Sequence, residues 1–342
     1  MSVVTFLIGN GFDLACGLKS KYKDTYDGYI KTSSSSEAIK FFKEDIGDDI
    51  ENWADFEIAI AKYSEKFKKE KDLLECIRDY KAYLRDYLIQ EQKKFLNDKN
   101  KQSPFVGELI KLLIYSYQDM VENDQRKIDN VLKGNGNRIK LKFISFNYTN
   151  VFDELEKQAF PWIKQACSLY EDSPVLHMHG TLDNNDIVLG VDHKSQVTVQ
   201  FHPTYDLECT IIKPTLINEC DDTRMSKGIS YIQSSDIICA LGLSLGDSDL
   251  TWKKVVANWL LDDSKEHHLI FFNYALATKR CLDNSQKISW EKDGKKALIS
   301  KLYDENPLQY DENLLQQKEY HKVLERIHVP VDTCFSTFYP KK

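Results

Sequence analysis

The first thirteen residues restrict the fold more than any other stretch. Residues 3–8 are an unbroken run of β-branched and apolar side chains, which stops at Gly9-Asn10-Gly11 and continues through Phe12 and Asp13 into a segment compatible with a helix. This pattern predicts a strand, a tight turn and a helix, which together present backbone N–H groups and a helix N-terminus to a phosphate. Glycine would let the backbone approach a pyrophosphate closely. An ordinary strand–turn–helix connection has the same pattern, so both interpretations stay open.

Five later runs rich in β-branched and aromatic residues predict further strands, at 141–146, 176–180, 187–191, 237–241 and 268–272. Segments compatible with helices separate most of them. Strands without strict alternation, separated by helices, are typical of a parallel sheet that is covered on both faces. We therefore expect an α/β, Rossmann-like fold with a mostly parallel sheet.

A large helical insertion is expected after the first strand. Between residues 37 and 128, apolar side chains recur at helical spacing, as they do at Leu73, Ile77, Tyr80, Leu84 and Leu88. We assign residues 1–30 and 135–342 to the α/β core and residues 31–134 to the insertion. Within the insertion, Asp55 and Glu57 have two interpretations: acids in the first turn of a helix, which we favour, or side chains that reach back toward the glycine turn.

Composition excludes several classes of protein. The formal net charge of -7 argues against a chain whose main task is to coat nucleic acid. None of the eight cysteines forms a Cys-x-x-Cys pair, so the sequence predicts no zinc ribbon, no thioredoxin-type motif and no metal site. Scattered cysteines in apolar runs fit a reducing compartment. With no signal peptide and no stretch able to span a bilayer, we expect a cytoplasmic protein without a membrane partner.

The candidate site consists of residues at the carboxyl ends of the predicted strands, because ligands bind there in open α/β sheets. These residues supply glycine-containing loops for phosphates, amides for ribose hydroxyls and one titratable base. Such a set suits a dinucleotide: Gly9, Asn10, Gly11, Phe12, Asp13, Asn147, Tyr148, Thr149, His179, Gly242, Ser244, Asp247 and Asn273.

Several members of this region have alternative interpretations. Tyr148 would either stack on a ligand or simply pack, and Asp247 and Asp249 would each either contact a ligand or cap the next helix. His177, two residues before His179, is expected to be structural. Lys213 would either meet a phosphate or lie at the surface, and we favour the surface. The pair at 267–268 is expected at the surface.

The motifs as a set resemble a known family. Gly9-Asn10-Gly11-Phe12-Asp13, Gly17-Leu18, Trp53-x-Asp55-x-Glu57, Phe146-Asn147-Tyr148-Thr149 and His179-Gly180 are similar to motifs of the AbiH family. That family comprises bacteriophage abortive-infection proteins, and the resemblance implies a sirtuin-like NAD-binding core. It covers nearly the whole chain, although each motif is short.

The resemblance also implies roles for individual residues. Asn147 matches the asparagine near the nicotinamide ribose, and His179 matches the catalytic histidine. The loops match as follows: Gly9 and Gly11 the pyrophosphate turn, Gly242 and Ser244 the phosphate and ribose loop, and Asn273 the asparagine that faces the adenosine ribose. Deacetylase sirtuins carry a four-cysteine zinc module after the His-Gly, and Cys209 and Cys220 are too few to form one.

The expected function is therefore that of an antiviral effector that hydrolyses NAD, its substrate, to nicotinamide and ADP-ribose. Asn147 would fix the ribose and a water, and His179 would accept a proton. Two alternatives stay open: a non-catalytic sensor of NAD or of an ADP-ribose-type nucleotide that gates a partner, and an effector that acts on nucleic acid. The insertion exceeds what a sheet crossover needs, so we expect a homo-oligomer and a phage-derived trigger or partner.

Overall fold

The fold is built on one sheet of six parallel strands. The computed structural model describes residues 1–134, 138–166, 174–184, 186–219, 223–303 and 317–340. The second core segment is predicted to begin at residue 135, which lies outside the described residues. The strand order is β3-β2-β1-β4-β5-β6. The strands are β1 (Ser2–Ile8), β2 (Ile139–Ser145), β3 (Leu176–His177), β4 (Ile237–Leu241), β5 (His268–Phe272) and β6 (Ile327–His328).

Strand β1 lies at the centre of the sheet. It pairs with β2 from Ser2 opposite Ile139 to Ile8 opposite Ser145, and with β4 on its other edge. Because every pairing is parallel, all carboxyl ends meet at one edge of the sheet. The α/β prediction is confirmed. The strand predicted at 187–191 is wrong: that segment forms only an isolated bridge between Val191 and Ile212.

Two helices follow the glycine turn, and five more lie between them and β2 in the chain. In total, the described residues form fifteen helices around the sheet. They are α1 (Asn10–Ala15), α2 (Tyr22–Tyr29), α3 (Glu37–Asp48), α4 (Phe56–Tyr63), α5 (Glu70–Leu96), α6 (Lys99–Tyr115), α7 (Glu122–Gly134), α8 (Val151–Ala166), α9 (Tyr205–Ile211), α10 (Lys213–Glu219), α11 (Arg224–Ser234), α12 (Leu250–Leu261), α13 (Tyr274–Ala277), α14 (Asn284–Tyr303) and α15 (Gln317–Arg326).

Helices cover both faces of the sheet, as the unalternating strands predict. Successive residues of β1 point to opposite faces of the sheet. Phe6 packs in the core cluster that contains Phe152 of α8, and Leu7 packs in the cluster that contains Trp252 of α12. Both β1 side chains are fully buried.

A third core cluster, rich in aromatic residues, lies outside the sheet. Helices α2 to α5 meet there, and the rings of Phe56 and Tyr80 stack with centroids 4.0 Å apart. Leu182 and Ile211, from the chain that follows β3, pack into the same cluster. This packing brings α4 against the loops at the carboxyl edge of the sheet.

The histidine pair at the start of β5 is buried, so the prediction that it lies at the surface is wrong. Both His267 and His268 are at most 1% exposed. The Nδ1 atom of His268 lies 3.0 Å from Nε2 of His328, whose Nδ1 lies 3.0 Å from a carboxylate oxygen of Asp124 in α7. Two adjacent parallel strands therefore bury these rings together. In the described part of the chain, no helix combines the length and apolarity needed to cross a membrane.

Candidate functional site

Two adjoining cavities lie at the carboxyl edge of the sheet. The first has a volume of about 680 Å³, and we call it the acidic cavity because its lining includes Asp13, Asp55, Glu57 and Asp249 together with Asn147 and His179. The second has a volume of about 810 Å³, and we call it the apolar cavity because its lining is mostly apolar, as at Phe271, Leu298 and Val329. The two share part of their walls: Gly11, Leu14, Lys21, Gly242, Leu243 and Ser244.

The glycine turn is packed against the loop that follows β4. A Cβ atom on Gly9 or Gly11 would lie 2.6 Å from backbone atoms of residues 242–243, and Gly242 itself has a φ of 63°. The N–H of Gly9 donates to the carbonyl of Leu241, and that of Gly11 donates to the carbonyl of Gly242. These N–H groups are therefore already bonded within the protein and are not free to bind a phosphate. Phosphate binding by the turn was one of the two interpretations of the sequence. The glycines are needed first for close contact between two loops.

Asp13 connects the glycine turn to the loop that follows β2. Its side chain is 2% exposed and accepts hydrogen bonds from Asn147 Nδ2 at 3.0 Å and from the Thr149 hydroxyl at 2.7 Å. Burial raises the pKa of Asp13 to about 7, although these two hydrogen bonds lower it. The Oδ1 atom of Asn147 is buried and has no hydrogen-bond partner. The amide is thus held by its nitrogen, with its oxygen unused by the protein.

His179 faces a carboxylate in the acidic cavity. Its Nε2 atom lies 3.4 Å from Asp249 Oδ1, and its ring packs edge-on against Phe146. His177 belongs to a separate pair: its Nε2 atom lies 3.1 Å from Asp153, and its Nδ1 atom lies 3.2 Å from the carbonyl of Asn147. The two histidines therefore contact different acids. Asp249 is the group that can orient the ring of His179.

A buried lysine links the insertion to this histidine. Lys213 is 2% exposed, so the expected surface position is wrong. Its Nζ atom lies 3.0 Å from Glu57 Oε2 in α4 and 3.0 Å from Asp249 Oδ1. The other Glu57 oxygen accepts the N–H of Gly190 at 3.1 Å. A buried charge without a partner would destabilise the fold, so the lysine and the two carboxylates stabilise one another.

Two carboxylates share the single ammonium, and their pKa values separate. Burial would lower the pKa of Lys213, but Asp249 and Glu57 raise it well above its ordinary value. Burial would likewise raise the pKa of Asp249, yet Lys213 and His179 hold it well below the usual range. For Glu57 burial prevails, and its pKa is raised. Asp249 is therefore the firmly ionised acid, and Glu57 is the one that gains a proton as the pH falls.

Both interpretations of the 53–57 segment apply. Asp55 caps α4, since its Oδ1 accepts the N–H groups of Glu57 and Ile58 at 3.1 and 3.2 Å. Glu57 is the residue that reaches the site, through Lys213. Tyr148 lines the acidic cavity, and its hydroxyl donates to the carbonyl of Val188 at 3.2 Å.

Two of the remaining predicted residues line the cavities, one in each. Asn10 lines the acidic cavity and bonds Ser20. Asn273 lines the apolar cavity, and its Oδ1 caps α13 by accepting the N–H of Leu276. Asp247 begins a short 3-10 helix, Asp247–Asp249, but its side chain lies outside the described residues.

Phe12 is the exception among the predicted residues. It is 4% exposed, packs against Phe152 and Phe338, and belongs to neither cavity lining. The helical period explains this placement, because Phe12 and Asp13 are adjacent in α1 and face different directions. Its ring serves the core under the sheet, while Asp13 faces the site.

Sequence reasoning did not single out Lys21, and it did not predict that Lys213 and Asp249 form a pair. Lys213 precedes Pro214 and carries no local motif, and Asp249 is equally compatible with a helix cap. Lys21 lies in the wall shared by both cavities and is exposed. The available signal was Glu57 in a buried helical turn, since a buried acid needs a partner. Among the described residues, no group of three or more His, Cys, Asp or Glu side chains is arranged to hold a metal ion.

Comparison with known proteins identifies the family. The family model described as "Bacteriophage abortive infection AbiH" matches residues 5–274, which is well over half of the chain and spans β1, the helices of the insertion and the site loops. No curated protein matches the chain. The chain therefore belongs to the bacteriophage abortive infection AbiH family.

Proposed function

We propose that this chain is an abortive-infection effector that hydrolyses NAD to nicotinamide and ADP-ribose, using a sirtuin-like core. One observation carries the proposal: Asn147, whose buried Oδ1 has no partner, and His179, whose ring is paired with Asp249, line the same cavity. A fixed acceptor beside a base that a carboxylate orients is what cleavage of a glycosidic bond by water requires. The AbiH membership supports the biological setting, which is defence against phage.

The two cavities suit the two halves of a dinucleotide. The nicotinamide ribose would occupy the acidic cavity, where carboxylates favour the cationic ring of oxidised NAD. The adenosine half would occupy the apolar cavity, near Asn273. The pyrophosphate would cross the shared wall, where Lys21 offers a positive charge. This arrangement uses the side chains around the glycine loops, since the N–H groups of Gly9 and Gly11 are already bonded.

The chemistry follows from these side chains. As the bond between ribose and nicotinamide breaks, its electron pair leaves with nicotinamide and positive charge develops on the sugar. Asn147 Oδ1 would accept a hydrogen bond from a ribose hydroxyl or from the attacking water. With its Nε2–H directed to Asp249, His179 has Nδ1 available to take the proton of that water. The water oxygen then bonds the ribose, and ADP-ribose is the product.

The test is nicotinamide release by the purified full chain, alone and with lysate from phage-infected cells. His179→Ala should lower release by about 10²–10⁴-fold, as expected for loss of a general base. Asn147→Ala should also lower it, and the double variant should resemble the more damaged single one, because both residues serve one step. His193→Ala is the matched control, since that ring bonds Ser195 and lies in neither cavity lining.

Two outcomes would overturn the proposal. Wild-type release rates in a folded His179→Ala protein would remove the histidine from the mechanism. NAD binding without release, under every trigger, would favour a sensor of NAD or of an ADP-ribose-type nucleotide. Thermal melts of each variant separate loss of chemistry from loss of folding.

A further inference from the structure

Asp13 forms a buried bridge beneath the proposed reaction site. It belongs to α1, whereas its two partners, Asn147 and Thr149, belong to the loop after β2. All three side chains are at most 5% exposed. An ionised carboxylate can only accept hydrogen bonds, so it requires the N–H side of the Asn147 amide to face it.

That constraint decides what Asn147 offers a ligand. With Nδ2 bound to Asp13, the amide oxygen is directed away from the bridge, and this oxygen is the buried acceptor without a partner. A buried acceptor without a hydrogen-bond partner is unfavourable for folding. A structure that keeps one beside a cavity is prepared for a donor from outside, such as a hydroxyl or a water.

We propose that Asp13 is a positioning residue that locks the Asn147 amide with its oxygen toward the ribose, and that the Thr149 hydroxyl keeps this lock closed when Asp13 is protonated. This inference rests on the proposed function, since it concerns the same reaction. A hydroxyl can accept as well as donate. A proton on Asp13 Oδ2 is therefore donated to Thr149, which leaves Oδ1 as the acceptor for Asn147.

The protonation state of Asp13 matters near neutral pH. Burial raises its pKa to about 7, against the lowering effects of Thr149, Asn147 and the nearby His177. Asp153, which pairs with His177, acts in the opposite direction and raises it. Cys16 is the other titratable group close by, and burial keeps its thiol protonated by raising its pKa. Without the hydroxyl, a proton on Asp13 would move to Oδ1 and turn the amide around.

The first experiment compares nicotinamide release by Asp13→Ala and Asp13→Asn. Removal of the lock should lower release by about 10²-fold, the effect expected of a misplaced reacting group. Asparagine should restore most of the loss, because its oxygen accepts from Asn147 and its nitrogen donates to Thr149. Failure of asparagine to rescue would overturn the proposal, as would wild-type release by a folded Asp13→Ala protein.

The second experiment uses Thr149→Val at about pH 8.5 and about pH 6. Relative to wild type at each pH, valine should lower release about tenfold more at the acid value, because protonated Asp13 then reverses the amide. The variant Asp13→Asn/Thr149→Val should be impaired at both pH values, since neither orientation of Asn147 is then enforced. A merely structural bridge would give the same loss at both pH values, and that result would contradict the proposal.

A third measurement separates this inference from the proposed function. The measurement is an NMR spectrum of protein labelled with ¹⁵N at asparagine. The side-chain signals of Asn147 are identified as those that are missing from the spectrum of Asn147→Ala. Between the two pH values they should shift less in wild type, where only the charge of the acceptor changes, than in Thr149→Val, where the amide turns around. If wild type releases no nicotinamide but the signals behave in this way, the lock stands and the hydrolysis fails. If the signals move equally in both proteins, the lock itself is refuted.

Discussion

Replacing Lys213 with methionine tests whether one buried ammonium holds the acidic cavity together. Methionine has a similar length and leaves no large void. It removes the partner that lies 3.0 Å from both Glu57 and Asp249, whose side chains are only 7% and 13% exposed. Two buried acids would then lack the cation that they share. The fold must respond by protonating one of them or by opening the cavity.

The less costly response is protonation of Glu57, because Asp249 keeps His179 as a partner. The ordinary pKa of a glutamate is 4.5. Each pH unit above it adds about 1.4 kcal/mol to the free energy of keeping the carboxyl protonated, so at pH 7 the penalty is about 3.4 kcal/mol and at pH 5 about 0.7 kcal/mol. The value at pH 7 agrees with the ~3–5 kcal/mol measured when one partner of a buried ion pair is removed.

The sign of the pH effect follows from the same group. In the variant, the pKa of Glu57 is raised further in the folded state, so its contribution favours folding at low pH and is lost as the pH rises through the folded value. Urea denaturation at about pH 7 and about pH 5 measures both free energies of unfolding. The variant should therefore be closer to wild type at the acid pH.

Two further variants serve as controls. Lys43→Met removes a lysine that is also buried but whose nearest carboxylate, Asp79, lies 3.8 Å away and is 36% exposed, so no buried acid is left unpaired. Glu57→Gln/Lys213→Met removes the acid as well and should recover most of the loss at pH 7. A Lys213→Met protein that loses less than about 1 kcal/mol at pH 7, or loses equally at both pH values, would refute this electrostatic account.

Three other predictions concern single sites. Gly242→Ala should destabilise the fold by about 1–3 kcal/mol, since φ is 63° there and a Cβ would lie 2.3 Å from a backbone nitrogen, whereas Gly107→Ala, in open space on a helix, should stabilise it; thermal melts compare them. Asp124→Asn should lower the free energy of unfolding at neutral pH, because ion pairing outweighs burial and depresses the pKa of Asp124 in the folded state. The difference from wild type should vanish as the pH falls below the ordinary carboxyl range. Asp129→Asn, at a more exposed ion pair, is the control. Asp249→Asn should lower nicotinamide release about 10²-fold, because an amide lacks the carboxylate that orients the His179 ring.

Local sequence determined the elements that carry the site. A run of β-branched residues ending at Gly9 can hardly be anything but a strand followed by a turn, and a helical period across 37–128 can be read without tertiary information. The parallel sheet then follows from alternation of strands with helices. Because parallel strands end at a common edge, residues after different strands could be assigned to one site.

The reason for the glycines could not be read from the sequence. A Gly-x-Gly turn is compatible with a phosphate and equally with a close backbone neighbour. Only the pairing of β1 with β4 brings the later loop within 2.6 Å of where a Cβ would lie on Gly9. The same pairing uses the N–H groups that the pattern alone assigns to a ligand.

Tertiary structure alone decided which charges meet. Glu57 and Lys213 are 156 positions apart, and Asp13 and Asn147 are 134 apart. No periodicity within a helix or strand relates such residues. Glu57 reaches Lys213 only when the aromatic cluster docks α4 against the edge of the sheet, and Asp13 reaches Asn147 only when β1 pairs with β2. Burial then makes each charge depend on its partner, since a lone ion in a water-poor interior is disfavoured by several kcal/mol or more. Composition shows how many acids and bases a chain has, but the partner of a buried one is a property of the packed fold.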